Sequence, residues 1–406
     1  MDQTIERCPL CINGNLSDTD VHAEQYDNWL QCDVCSTWYH SECLKISAKE
    51  CDSIETYHCP SCTKTHGPTT YKPKRRKSNR DHIKLNYADL NEGKTGDEKI
   101  WGKLLNAKTF ATDCFPRYKG EEVTLDLLRR TGMKEPFIVE KNEGLGMQMP
   151  PNDINVYDIA HAVGENHPVE VIDVATQSEQ PGWTMGRWAA YYHSAERDRI
   201  RNVISLEISG TDFAASITRP KIVRDLDWID QAWPSELKPK EYPKVQLYCL
   251  MGTRDSYTDF HIDFGGSSVF YHIIKGSKTF YFIEPSSRNL KKYQKWTSSP
   301  DQTTTFFGDE VKQCTAVHLK AGNTMIIPTG WIHAVYTPED AIVIGGNFLH
   351  GLNIPVQLRI DEIEKATNVP SKFRFPFFKT LNWYAAAKYC EILKGNSRSR
   401  YAFTFV

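Results

Sequence analysis

The segment TDFHIDFGG places His261 two residues before Asp263, and in an extended strand such a pair points to one side while Phe260, Ile262 and Phe264 point to the other. Alone, the pair reads equally well as the polar face of a strand. A further histidine, His333, follows a Pro-Thr-Gly turn in IIPTGWIHAV. Two imidazoles and one carboxylate are the facial donor set of a non-haem ferrous centre, with three positions left open. A keto-acid filling two of those positions needs a cation for its far carboxylate. Lys278 in SKTFYFIEP is suitably charged, and Thr258 and Tyr271 offer hydroxyls.

A second set of metal donors lies upstream. Eight of the twelve cysteines fall between residues 8 and 62, and seven of them, with His40, are paired. They form Cys8-x2-Cys11, Cys32-x2-Cys35, His40-x2-Cys43 and Cys59-x2-Cys62, pairs whose two-residue gaps let both members reach one tetrahedral ion. Eight ligands close two four-coordinate zinc sites with no open position, which makes them structural. The remaining cysteines, Cys51, Cys114, Cys249, Cys314 and Cys390, are scattered and read as small core residues or free thiols. Trp29 and Trp38 flank the second cysteine pair with Tyr26 nearby, and aromatic faces hold a quaternary ammonium by cation–π attraction. Either tryptophan reads equally as packing for a small core.

Composition sets the elements around these residues. The chain has 406 residues, 40% hydrophobic and 25% charged, with a net charge of -2, the make-up of an ordinary soluble multidomain protein. No run approaches eighteen apolar residues and the N-terminus carries no apolar signal core, so the expectation is an intracellular protein without membrane contact. Residues 5–63 are too poor in aliphatic side chains to fold without zinc. Residues 64–95, including KPKRRKSNR, read as a basic linker able to meet DNA phosphates or serve as a nuclear address. Residues 96–200 read as mixed and partly helical, with helices over 120–132 and 184–201. From 201 to 354 many short β-type runs, among them SSVFYHIIKG and SKTFYFIEP as a hairpin, point to a barrel or sandwich. Residues 355–406 return to helical periodicity in VQLRIDEIEKA and LNWYAAAKYCEIL. His193, His272, His318 and His350 lack sequence partners and read as satisfied or exposed histidines.

The order of four cysteines, a histidine and three cysteines, with Tyr57 before Cys59, resembles the plant homeodomain (PHD) finger. That resemblance implies that Cys8, Cys11, His40 and Cys43 share one zinc and Cys32, Cys35, Cys59 and Cys62 the other. It also implies a cage of Tyr26, Trp29 and Trp38 for trimethylated lysine four of histone H3. TDFHIDFGGSSVFYHIIKGSKTFYFIEP, AGNTMIIPTGWIHAV and IVIGGNFLH resemble the Jumonji C (JmjC) domain, a double-stranded β-helix of the jelly-roll or cupin type with flanking helices. The whole chain is similar to PHD–JmjC histone lysine demethylases of repressive marks. The resemblance implies Fe(II) on His261, Asp263 and His333, and 2-oxoglutarate on Thr258, Lys278 and Tyr271, with Tyr248, Asn202 and Asn347 lining the pocket. It further implies consumption of dioxygen, oxidative removal of methyl groups from mono- and dimethylated lysines nine and twenty-seven of the H3 tail, nucleosomal partners and a nuclear location. A protein hydroxylase on the same fold, or a chromatin reader with a scaffolding JmjC domain, are the competing readings.

Overall fold

The computed structural model describes residues 8–12, 29–51, 53–71, 100–238, 240–302 and 305–395, and the chain separates into two units, 1–83 and 84–406. Tyr26 and the basic run at 72–80 lie outside the described residues, and the side chain of Cys11 is likewise not described. In the first unit, β1 (Trp29–Gln31) and β2 (Trp38–His40) form an antiparallel ribbon with Trp29 opposite His40 and Gln31 opposite Trp38. Its buried cluster is Cys8, Cys32, Tyr39, Tyr57 and Cys59. Three of those five side chains are thiols, so the apolar area is far below what a domain of this size needs to fold by burial alone.

The second unit is built on a largely antiparallel sheet, eleven-stranded among the described residues. Its strands near the site are β3 (Val171–Asp173), β4 (Ser178–Gln180), β5 (Arg201–Glu207), β6 (Tyr248–Gly252), β7 (Tyr257–His261), β8 (Ser268–Ile283), β9 (Thr324–Ile327) and β10 (Ile332–Phe348). The sheet runs β9-β8-β10-β6-β5-β3-β4, and β7 pairs with β10 off that path. SSVFYHIIKG and SKTFYFIEP are therefore not a hairpin, as the sequence predicts, but one strand of 16 residues. Gly276 does not turn the chain. It takes φ +73° where an added Cβ would lie 2.1 Å from the Asp340 carbonyl oxygen, and the register against β10 shifts three times between Ile273 and Thr279. Bulges absorb the glycine inside the strand.

The helix expected over 184–201 is shorter. α1 (Met185–Tyr192) starts at Thr184, whose Oγ1 accepts from Arg187 N at 3.4 Å, and it stops before His193. Beyond it, Arg197 pairs with Asp340 and Arg199 with Asp173, drawing the polar segment onto the sheet, where it continues as β5. The stretch 120–132 splits into a 3-10 turn and the helix Leu125–Thr131 because Thr124 caps the latter. The C-terminal periodicity gives α2 (Ile354–Ala366) and α3 (Phe378–Leu393). α2 buries Gln357, Ile360, Ile363 and Glu364, and the Glu364 carboxylate accepts the Gly265 N–H at 2.7 Å just after Asp263. No helix among the described residues is long and apolar enough to cross a membrane.

Candidate metal centre

Pairing of β7 with β10 sets His261 directly opposite His333, with ring centroids 4.3 Å apart. Asp263 follows β7, and its Oδ2 lies 3.8 Å from His333 Nε2. Donor atoms of His261, Asp263 and His333 all fall within 4.8 Å of one another. Each ring is turned by its other nitrogen: His261 Nδ1 donates to the Asp259 carbonyl at 2.8 Å and His333 Nδ1 to the Trp331 carbonyl at 3.0 Å. That leaves both Nε2 lone pairs facing the shared space, the arrangement that metal-ligating histidines adopt. Burial also holds His333 well below the usual imidazole range, to about 4, so it stays neutral and able to ligate. Asn347 Nδ2 donates to Asp263 Oδ1 at 3.2 Å and to Ser267 Oγ at 2.9 Å. One carboxylate oxygen is thus held while the other looks inward.

These groups open into a cavity of about 660 Å3 that is also lined by Thr258, Tyr271, Lys278, Tyr248, Asn202 and Asn347. Lys278 is 3% exposed. Its Nζ donates to Thr337 Oγ1 at 2.8 Å and forms no ion pair among the described residues. Desolvation pushes it down to about 7. A buried ammonium held by one hydroxyl is an anion site in waiting, because a carboxylate supplies the missing counter-charge. The donor set and this cation therefore fit a ferrous ion with a dicarboxylic keto-acid.

The 101 residues 248–348 match the family model "JmjC domain, hydroxylase", and 352–403 match "Jumonji helical domain". A Yarrowia lipolytica protein named JmjC domain-containing histone demethylation protein 1 is 43% identical over 395 residues, 93% of this chain and 75% of the relative. The chain belongs to the JmjC histone demethylase family. Histone lysine demethylase PHF8 of Danio rerio is 42% identical over 373 residues, 91% of this chain, and lysine-specific demethylase 7A of the same fish 41% identical over 370 residues, 90% of this chain. The chain spans about a third of the length of the former, 36%, and 41% of the latter.

Several residues of this JmjC unit escape sequence reasoning. Thr337 and Ser256 are fully buried, and Ser256 Oγ donates to Thr337 Oγ1 at 2.9 Å behind Lys278. Gly252 faces the same ammonium, and a Cβ there would lie 2.6 Å from Lys278 Nζ. Nothing in their local sequence distinguishes these small residues. His272 bonds Thr324 and His350 bonds Ser268, both inside the core, and His193 stacks on Tyr157.

In the finger unit the four thiols Cys32, Cys35, Cys59 and Cys62 gather in one group, and Cys8, His40 and Cys43 in another. The four-thiol cluster suits tetrahedral zinc. Trp29 and Trp38 lie on the same face of the β1–β2 ribbon, since Trp38 is two residues from His40, the partner of Trp29. Trp29 is 39% exposed and leans on the His40 ring at 3.9 Å.

Proposed function

We propose that this chain is the catalytic part of an Fe(II)- and 2-oxoglutarate-dependent histone lysine demethylase. The observation that carries the reading is the convergence of His261, Asp263 and His333 on one space beside the Lys278 ammonium, which has no carboxylate partner among the described residues. In this reading the three side chains hold iron, and Lys278, Thr258 and Tyr271 hold the cosubstrate carboxylate. Bound Fe(II) and 2-oxoglutarate supply the activation of dioxygen that oxidises an N-methyl carbon, after which the carbinolamine releases formaldehyde. The protein's part is to orient these groups and keep them dry. The Asp259 and Trp331 carbonyls fix the two imidazoles, Asn347 fixes the carboxylate, and the apolar walls Val269, Phe280 and Val335 exclude water.

The target we assign is mono- and dimethylated lysine nine and twenty-seven of H3, with the PHD finger reading trimethylated lysine four through Trp29 and Trp38. The relatives' names support methylated histones as substrates and a nuclear setting. In this reading the finger occupies 5–63, the basic linker 64–95, the catalytic region 96–354 and the helical region 355–406. Incubating methylated H3 peptides with enzyme, Fe(II) and 2-oxoglutarate, then weighing them by mass spectrometry, tests the central claim. Loss of 14 Da, the mass of CH2, is about the change expected per turnover; a gain of one oxygen would replace demethylation by hydroxylation, and no change would leave a reader alone. His261→Ala removes one iron donor and abolishes turnover while leaving peptide capture by the finger intact. Equal affinity of the finger for trimethylated and unmethylated H3 tails would remove the cage.

A further inference from the structure

The wall of the catalytic cavity formed by β5 and the residues beside β3 offers acceptors that pair with no cation among the described residues. Deep inside, Asn202 is 4% exposed and gives its Nδ2 to Thr258 Oγ1 at 3.3 Å, while its Oδ1 is buried with no hydrogen-bond partner. Toward the mouth the same cavity is lined by Glu207 and Glu170. Glu207 accepts the Ser209 N–H, at 3.1 Å, and is also met by the Ser209 hydroxyl, while Glu170 accepts the Ser205 hydroxyl, at 2.9 Å. Neither forms an ion pair among the described residues. Burial raises the Glu207 carboxyl, the state of a half-buried acid that lacks a counter-charge. Of the nearby basic groups, Lys372 is taken by Glu179 at 3.3 Å, and Lys244 and His167 act on Glu207 only at a distance.

A second cavity of about 510 Å3 shares Glu170, Ser205 and Glu207 with the first and runs on past Glu179 to Trp183. The two cavities thus border one another along Glu170, Ser205 and Glu207, and the first of them holds the candidate metal ligands. Carboxylates along that border repel nucleic-acid phosphates and attract basic peptide.

We propose that Glu207 and Glu170 form a subsite for a cationic side chain within two residues of the methylated lysine, so that the enzyme selects methyl-lysines set in basic sequence. The proposal rests on the demethylase reading for what enters the cavity. An extended peptide advances about 3.4 Å per residue, so a lysine reaching inward leaves its neighbours over this rim. The half-buried carboxylate prefers arginine, whose planar fork matches it and is more weakly hydrated than an ammonium.

Two dimethyl-lysine peptides test this, identical except that every arginine within two residues of the target is citrulline in one of them. Binding to the full chain is read by fluorescence anisotropy, and turnover is read separately. Wild type binds the arginine peptide about fivefold more tightly, a size expected for a partly exposed charge pair. In the double variant Glu170→Gln, Glu207→Gln that ratio falls to about one, and in Glu170→Gln alone it falls part-way. Glu170 is on the surface, so its substitution does not put folding at risk. No preference in wild type, or an equal loss for both peptides in the variants, overturns the subsite. Charge-dependent binding with no methyl loss from either peptide keeps the subsite and removes the demethylase reading.

Discussion

Lys278 illustrates how much a single buried charge can report. With Thr337 as its hydrogen-bond partner and burial lowering it to about 7, the ammonium is poised to lose its proton near neutral pH before any anion arrives. A bound carboxylate restores its preference for the charged form. The sign follows: the free protein is already protonated below about pH 7, so affinity for 2-oxoglutarate is greatest there, and above it binding must take up a proton. The affinity is expected to fall about tenfold per pH unit from 7 to 9. Calorimetry in buffers of different ionisation heat should show that uptake near pH 8, and a pH-independent affinity would clear Lys278 of the role. Gly252→Ala tests the same anchor sterically. Its Cβ would sit 2.6 Å from Nζ and 3.1 Å from the Ser256 and Thr337 hydroxyl oxygens, so the flexible amine must move. The expectation is a dissociation constant for 2-oxoglutarate raised about tenfold, with the melting temperature little changed. An unaltered constant would falsify the placement.

Among the elements, the long strands β8 and β10 and the helix α2 together decide where the candidate ligands stand. β10 contributes His333 at one end and Asn347 at the other, and β8 lies beside it with Phe282 opposite His333. α2 presses on the turn after Asp263: a Cβ on Gly266, at φ +62°, would meet Ile360 Cγ1 at 3.0 Å. Ile360 is 1% exposed. Truncating it to alanine should cost about 2–4 kcal/mol in stability, read as a lower midpoint in urea with an unchanged slope. Because the same turn carries Asp263, Fe(II) affinity should weaken as well. If stability falls but metal affinity does not, α2 is a prop for the sheet and not for the site.

At the scale of the whole molecule, the two units rest on different sources of stability. The second has several large apolar clusters, whereas the first buries Tyr39 and Tyr57 with three cysteine side chains. Structural metal must replace the missing apolar area in the first unit, since binding free energy there is folding free energy. Stripping zinc with a strong chelator should therefore open residues 29–71 to protease while the second unit keeps one cooperative melting transition. Simultaneous loss of both, or resistance of the finger, would contradict this division.

Much of the chemistry was legible because it is local. A CxxC gap lets two thiols reach one ion by bond lengths alone, and the His-x-Asp spacing keeps His261 and Asp263 near each other although β7 ends at His261. The helical tail was legible for the same reason, its apolar residues recurring every three or four positions in α2. What no spacing could decide is which distant segments meet. The pairing of His261 with His333 across 71 intervening residues depends on β-register, where a slip of one residue turns the imidazole to the opposite face. The continuation of β8 through Gly276, the Ser256–Thr337 support beneath Lys278, and the sharing of Glu170 and Glu207 by two cavities likewise come from packing among strands far apart in the chain. Sequence thus set which donors exist, and the tertiary fold set their distances and burial, because those are properties of neighbours that only folding supplies.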